Sequence, residues 1–377
     1  MSDVLVVGAG IVGAAVAREL AVRGVAVTLL DRGEVSGGTT GLGEGNVLLS
    51  DKEAGPELEL ARAGLGLYAE LEERMPDAAR IRRKGALIVH PDEATWRAEP
   101  ARLERLGVPE AELLGADAVR AAEPALTGEL CGASFFPGDL QCDPRRIARA
   151  LAEEAAAAGA EVLMGCEVSA IEPGRGVRTR RGTIAGGAVV LAAGPWSGAL
   201  AASAGHHLPL EPRKGQLVKL AASRPGMVVH KVVDGSYLAS VTSARAGLEV
   251  STVVETTWEG DVLVGSSRER RGFDLSVDAE VSDALVTRAA LLFGELAGLP
   301  VTAAWSGLRP WLPDHLPAIG PSRAVPGLWL ATGHEGAGVG LGPVSGRLVA
   351  QLYCGEEPVV DPSPFDPDRF AAVAQPR

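Results

Sequence analysis

The stretch Val4–Arg32, VLVVGAGIVGAAVARELAVRGVAVTLLDR, restricts the fold of this chain more than any other. Val4–Val7 is a short apolar run of the kind a buried parallel strand uses. Gly8, Gly10 and Gly13 follow in G-x-G-x-x-G spacing around Ile11 and Val12, and Ala14–Arg23 then carries a helical pattern that Gly24 stops. A second apolar run, Val25–Leu30, ends on Asp31. Each position has a mechanical reason. Gly8 makes a tight strand-to-helix turn, and Gly10 lets backbone approach a pyrophosphate. Gly13 lets the helix pack on the strand, and the free N–H groups of the helix start meet the negative phosphates. Asp31 is placed to accept hydrogen bonds from an adenosine ribose. Three glycines mean little in a chain with 48. The whole strand–turn–helix–strand–acid context specifies a dinucleotide, NAD or FAD.

The loop Gly33–Asp51, GEVSGGTTGLGEGNVLLSD, comes directly after the ribose acid. Read as a second binding loop, it brings the Thr39 and Thr40 hydroxyls to the pyrophosphate, and Gly43, Glu44, Gly45 and Asn46 run past an aromatic ring. Its plain alternative is a flexible surface loop.

At 377 residues the chain exceeds one ordinary core and suggests two domains. Hydrophobic residues at 46% and charged residues at 22% suit a soluble globular protein, and a net charge of −12 argues against a nucleic-acid surface. Cys131, Cys142, Cys166 and Cys354 lie far apart with no C-x-x-C pair, which reads as reduced thiols, no metal site and no iron–sulfur cluster. The motif begins at residue 4, leaving no room for a signal peptide, and the longest apolar segment is too interrupted to span a membrane. The expectation is a cytoplasmic protein.

Helical spacing recurs over Glu57–Met75, Glu93–Leu106, Ala116–Glu123 and Arg145–Ala158. The chain then turns β-rich over Gly159–Pro173, and Thr183–Leu191 rises into an apolar strand. Gln216–Leu220, Ser236–Val241, Leu248–Val254 and Asp261–Ser266 alternate with period two, predicting an antiparallel sheet interrupted by a helix over Asp278–Leu296. Gly327–Ala331 reads as a strand and Pro343–Leu352 as a helix with Pro343 in its first turn. The expected architecture is α/β: a Rossmann-like dinucleotide domain from 1–50, 143–205 and 305–377, and an α+β substrate domain from 51–142 and 206–304 built on a mostly antiparallel sheet.

Two later turns carry chemistry. Ala192–Trp196, AAGPW, ends an apolar strand where a nucleotide-binding sheet delivers backbone to a cofactor, with a plain strand-to-helix turn as its alternative. GHEGAGVGLG, Gly333–Gly342, lets main-chain N–H groups approach an acceptor, and the helix after it adds a positive dipole end. Aimed at a flavin pyrimidine, it would stabilise negative charge arriving on reduction; aimed at nothing, it is a packing turn.

GAGIVGAA, TTGLGEGN, AVVLAAGPWSGAL, WSGLRPWLPDHLPAIG and ATGHEGAGVGLGPVSGRL, in this order from residue 4 to about 352, resemble the FAD-dependent D-amino-acid oxidase superfamily. Its members include glycine oxidase, sarcosine oxidase, D-amino-acid dehydrogenases and the flavin subunits of hydroxyproline dehydrogenase and opine oxidases. The resemblance implies FAD, held by the residues above together with Arg32, Val168, Ala193, Gly194, Trp196, Gly307, Gly333, Gly336, Ala337, Gly338, Val339 and Gly340. It implies that Arg309, in the G-L-R-P motif, binds a substrate carboxylate, a task for which a planar guanidinium is suited. Tyr237 and His334 join it as candidate catalytic residues, with core packing and turn capping as their alternatives. Glycine-oxidase-like loops carry an Arg where this chain has Glu335-Gly336, which departs from glycine as substrate. Sarcosine-oxidase-like covalent attachment uses a cysteine just before the G-L-R-P region; none lies between Cys166 and Cys354, so the FAD is expected to be non-covalent.

The implied reaction is oxidation of a C–N bond beside a carboxylate, by hydride transfer to flavin N5, giving an imine. The implied partners are an amine or amino acid substrate and either oxygen or a redox subunit as electron acceptor, with an oligomer or heteromer as the assembly. Three readings stay open: an NAD-dependent dehydrogenase, a flavin subunit passing electrons to an iron–sulfur partner, and a 2-hydroxy acid substrate.

Overall fold

The computed structural model describes residues 2–235, 238 and 243–373. The apolar run at the N-terminus becomes the strand Ser2–Val7, paired in parallel with Val27–Leu30 on one side and Gly182–Leu191 on the other. Val27–Leu30 continues in parallel to Glu161–Leu163, and Gly182–Leu191 to Leu328–Thr332. Antiparallel strands Val168–Glu172, Gly176–Thr179 and Ala318–Pro321 complete this eight-stranded sheet. Its central parallel strands therefore come from three distant parts of the chain. That is why their sequences read as near-continuous apolar runs: both faces are covered.

The second eight-stranded sheet runs Val301–Trp311, Glu211–Leu220, Val262–Arg268, Glu249–Thr256, Lys231–Asp234, Ala86–His90, Gly132–Phe136 and Glu112–Gly115. Every ladder in it is antiparallel except Lys231–Asp234 with Ala86–His90. A small three-stranded sheet, Asn46–Val47, Leu140–Gln141 and Arg82–Arg83, joins the loop after Asp31 to this half. The segment Ser236–Val241, expected as a strand, lies outside the described residues apart from Leu238.

Two boundaries differ from those read in the sequence. Val301–Trp311 belongs whole to the antiparallel sheet, so the division expected at residue 305 falls inside a strand paired along Glu211–Leu220. The helix Pro56–Arg74, expected with the substrate half, buries Leu58, Leu60, Leu67 and Tyr68 in the same apolar cluster as Val4 and Ile11. Amphipathic spacing shows that a helix has an apolar face but not which core covers it.

The last long helix also starts earlier than its proline suggests. It spans Gly338–Cys354, with Pro343 inside it. Pro343 has no N–H to give the carbonyl four residues back, at Val339. The hydroxyl of Tyr68, fully buried, donates to that carbonyl at 2.7 Å. The helix keeps its interior proline because a tyrosine on another helix satisfies the freed acceptor. Among the described residues, no helix is long and apolar enough to cross a membrane.

Candidate cofactor and substrate site

A cavity of about 540 Å³ runs along the carboxyl ends of the parallel strands and opens onto the antiparallel sheet, the size of a cofactor cleft. The first turn forms part of its wall through Gly8, Gly10, Ile11 and Val12. Gly8 has φ +109, and a Cβ there would stand 2.7 Å from the carbonyl carbon of Ala192, so only glycine makes the turn. Gly13 lies behind the wall, where a Cβ would crowd the Gly8 carbonyl, in keeping with close helix–strand packing. The helix Ile11–Ala21 has no acidic residue in its first turn, so its N-terminus favours an anion in the cavity.

Asp31 closes one end. Its Oδ2 accepts from Ala9 N at 2.7 Å and its Oδ1 from Gly33 N at 2.8 Å, which fixes the carboxylate in the wall with lone pairs to spare. Arg32, Val168 and Trp196 line the same cavity, with the Arg32 guanidinium 3.8 Å from the centroid of the Trp196 ring. Trp196 also stacks on Phe273, at 5.6 Å between centroids.

The middle of the wall differs in detail from the expectation. Thr39 and Thr40 line it, yet their hydroxyls have protein partners: Thr39 Oγ1 donates to the Leu308 carbonyl at 2.6 Å, and Thr40 Oγ1 accepts from Ile11 N at 3.1 Å. The threonine pair thus ties the nucleotide turn to the strand that carries Arg309. Gly43, Glu44, Gly45, Asn46, Ala193, Gly194 and Gly307 also line the cavity. So do His334, Gly336, Ala337, Gly338, Val339 and Gly340 around the start of the last helix. Gly333 stands outside the wall, its φ of +83 turning the chain where a Cβ would crowd Leu312.

At the far end Arg309 lies half-buried, donating from Nη1 to the Ser267 carbonyl at 3.0 Å. Its guanidinium lies flat on Gly215 of the neighbouring strand, where a Cβ would fall 2.5 Å from its Cζ. Glu44 faces it. Burial pushes the Glu44 carboxyl up, but Lys231, Arg309 and Asn46 outweigh it and hold the group below the usual carboxylate value. Lys231 Nζ and Asn46 Nδ2 donate to Glu44 Oε2 at 3.1 and 3.0 Å. Asn46 Nδ2 also donates to the fully buried Glu255, which in turn takes Gln141 Nε2 and Lys84 Nζ. Burial brings Lys84 down to about 8 against the pull of Glu255. A carboxylate this deep is tolerated because every bond it accepts comes from a placed donor.

His334 is 4% exposed, and burial pushes its imidazole down to about 3, so the ring is neutral. Ser345 Oγ donates to the Leu341 carbonyl at 2.7 Å and meets His334 Nε2 at 2.9 Å, so that nitrogen carries the proton. The ring thus ties the glycine-rich loop to a serine inside the last helix, while His334 also lines the cavity. Tyr237 lies outside the described residues.

Lys231, Arg268, Gly215, Glu335 and Ser266 line the cavity without having been among the residues read as its wall. The available signal was a charge at an inward position of an otherwise apolar alternating strand, as at Lys231 before Val232 and Val233 and at Arg268 after Val264.

A wall with a fixed carboxylate at one end, an unopposed helix N-terminus at mid-length, glycines against the second helix start and cationic side chains at the far end fits FAD. The comparisons with known proteins agree. The DAO family pattern, "FAD dependent oxidoreductase", matches residues 3–352. Glycine oxidase of Pseudomonas aeruginosa is 35% identical over 378 residues, covering 97% of this chain and 98% of that protein. The crystal structure of glycine oxidase from Geobacillus kaustophilus superposes with a TM-score of 0.86 at 30% identity, covering 98% of each chain. That of L-proline dehydrogenase from P. horikoshii gives 0.87 at 25% identity, covering 99% of this chain and 98% of the other. The chain belongs to the DAO family of FAD-dependent oxidoreductases.

Proposed function

We propose that this enzyme oxidises the C–N bond next to the carboxylate of a small amino acid or secondary amine, with Arg309 as the carboxylate clamp. The observation that carries the reading is the guanidinium of Arg309 lying in the cavity wall, held against Gly215 and Ser267 at the end opposite Asp31. The similarity to glycine oxidase and L-proline dehydrogenase supports an amino acid as substrate. Bound FAD supplies the two-electron acceptor for such an oxidation.

The chain's own contribution is positioning and charge. Arg309 pairs with both carboxylate oxygens and fixes the α-carbon. The Glu44–Lys231 pair is neutral as a unit, so it shapes the pocket without cancelling Arg309. The start of the helix Gly338–Cys354 turns its dipole toward the cavity, where Gly336–Gly340 leave room for a ring. The nucleotide and substrate halves are assigned to the parallel and antiparallel sheets. The FAD is assigned as non-covalent, so acid precipitation should release all of the yellow colour.

The test is a panel of D-amino acids, N-methyl amino acids, prolines and opines, scored for peroxide and for dye reduction. Arg309→Ala should keep its flavin and lose roughly 10²-fold in kcat/KM through a raised KM, the scale of a lost charge-assisted pair. Normal turnover and apparent affinity in Arg309→Ala would remove the carboxylate clamp from this reading.

A further inference from the structure

We propose that Glu335 limits the substrate end to one carboxylate, so that monocarboxylate amines are accepted and their dicarboxylate analogues are refused. This rests on the Arg309 reading above and adds a residue that selects.

Three observations carry it. First, Arg213 and Arg309 are direct partners in the ladder between Glu211–Leu220 and Val301–Trp311. Cross-strand partners project to the same face, and like charges there repel. Second, Glu335 stands in the cavity wall, whereas Arg213 does not and is only 1% exposed. Arg213 Nη1 donates to Glu335 Oε1 at 2.6 Å, and its Nη2 reaches Glu249 Oε2 at 3.4 Å and the Ser243 carbonyl at 3.0 Å. Glu335 is thus the screen between a second guanidinium and the substrate. Third, Glu335 has φ +46 and its Oε2 meets Nδ1 of His315, itself at φ +60, at 3.1 Å. Two non-glycine residues in the left-handed region that bond to each other mark a side chain held in place by its contacts.

The charges at this end are arranged in pairs. Glu44 lies against Lys231 within reach of Arg309, and Glu335 and Glu249 both lie against Arg213. Burial opposes ionisation of Glu335, but the His315 bond and the charges of Arg213 and Arg268 keep it below the usual carboxylate value. One substrate carboxylate is taken by Arg309. A second would meet the Glu335 carboxylate. Removing that carboxylate takes one negative charge out of the wall and leaves the Arg213 guanidinium without its shortest carboxylate contact, so that a second substrate carboxylate can take that place.

The experiment uses the FAD-loaded enzyme, with acetate and malonate titrated as probes through their perturbation of the flavin absorbance. D-alanine and D-aspartate are compared as substrates in parallel. Wild type should bind acetate more tightly than malonate. Glu335→Gln should shift the malonate-to-acetate affinity ratio toward malonate by at least about tenfold, and the double variant Arg213→Gln/Glu335→Gln should return it toward wild type. If Glu335→Gln does not retain FAD, Glu335→Gly, which suits the positive φ, carries the same expectation. An unchanged ratio in the flavin-retaining variant, or a wild type that prefers malonate, overturns the proposal. If Arg309→Ala still binds acetate like wild type, the carboxylate clamp itself has failed. Loss of acetate binding there, with no shift in Glu335→Gln, refutes the Glu335 role alone.

Discussion

At the Asp31 end of the cavity the backbone makes the surface; at the Arg309 end the side chains do. Asp31 is held by Ala9 N and Gly33 N, and most of the wall beside it is the first turn, with Val168 and Trp196 added from elsewhere in the chain. Arg309 is held by Gly215 and Ser267, faces Glu44 and Lys231, and is paired in register with Arg213, so its surroundings span most of the chain. Backbone geometry at the first end tolerates no side chain where glycine is needed, and it recognises a ligand part common to every dinucleotide. Side-chain geometry at the second end can be retuned one residue at a time. On the proposed reading, the constant half of the ligand meets the rigid wall and the variable half the adjustable one.

The largest expected effect breaks the first end. Gly8→Val should abolish FAD retention, because φ +109 and the Ala192 carbonyl leave no room for a β-branched side chain. Flavin absorbance of the purified protein checks it, and a yellow Gly8→Val protein would mean that the turn does not hold the cofactor.

Gly215→Ala sharpens the comparison at the second end. The new methyl displaces the Arg309 guanidinium without touching its charge. FAD should be retained, and kcat/KM should fall between about 10- and 100-fold, as a misplaced clamp does. The outcome that would count against this geometry is a variant with unaltered kinetics.

An effect of another kind, on stability rather than on kinetics, is a pH dependence centred on His334. His334 has its folded pKa near 3, below the ordinary imidazole value of about 6.5. A depressed folded value means that the unfolded chain binds the proton first as pH falls. Full stability is present above about pH 6.5 and is lost as pH drops toward 3, by at most about 1.4 kcal/mol per pH unit. Urea midpoints of wild type and His334→Gln between pH 7 and 4 should converge on acidification. A constant gap between them would mean that the buried ring does not titrate this way.

The sequence displayed most of the first end because its determinants are local. Apolar run, glycine spacing, helical run and terminal acid are neighbours in the chain, and each can be read from its own stretch. Glu335 illustrates the opposite case. The sequence offers only an acid within a glycine-rich loop, and its meaning depends on Arg213, more than a hundred residues away, arriving behind it. Gly215 is similar, since nothing in Lys214-Gly215-Gln216 announces a guanidinium from another strand resting on it. The two threonines lie between these cases: their place in the wall was legible, but not the Leu308 carbonyl and Ile11 amide that engage their hydroxyls.

By itself, then, the sequence determined a dinucleotide turn, an α/β sheet around it, an antiparallel sheet beyond it and, through its motifs, FAD. Those properties follow from hydrophobic period and backbone freedom, which act over a few residues. Tertiary structure alone decided which sheet owns Val301–Trp311, why an interior Pro343 is tolerated, and how Glu335 comes to lie between Arg213 and the cavity. Strand register and charge pairing are set by contacts between segments that no local pattern records, because each depends on the whole chain having closed.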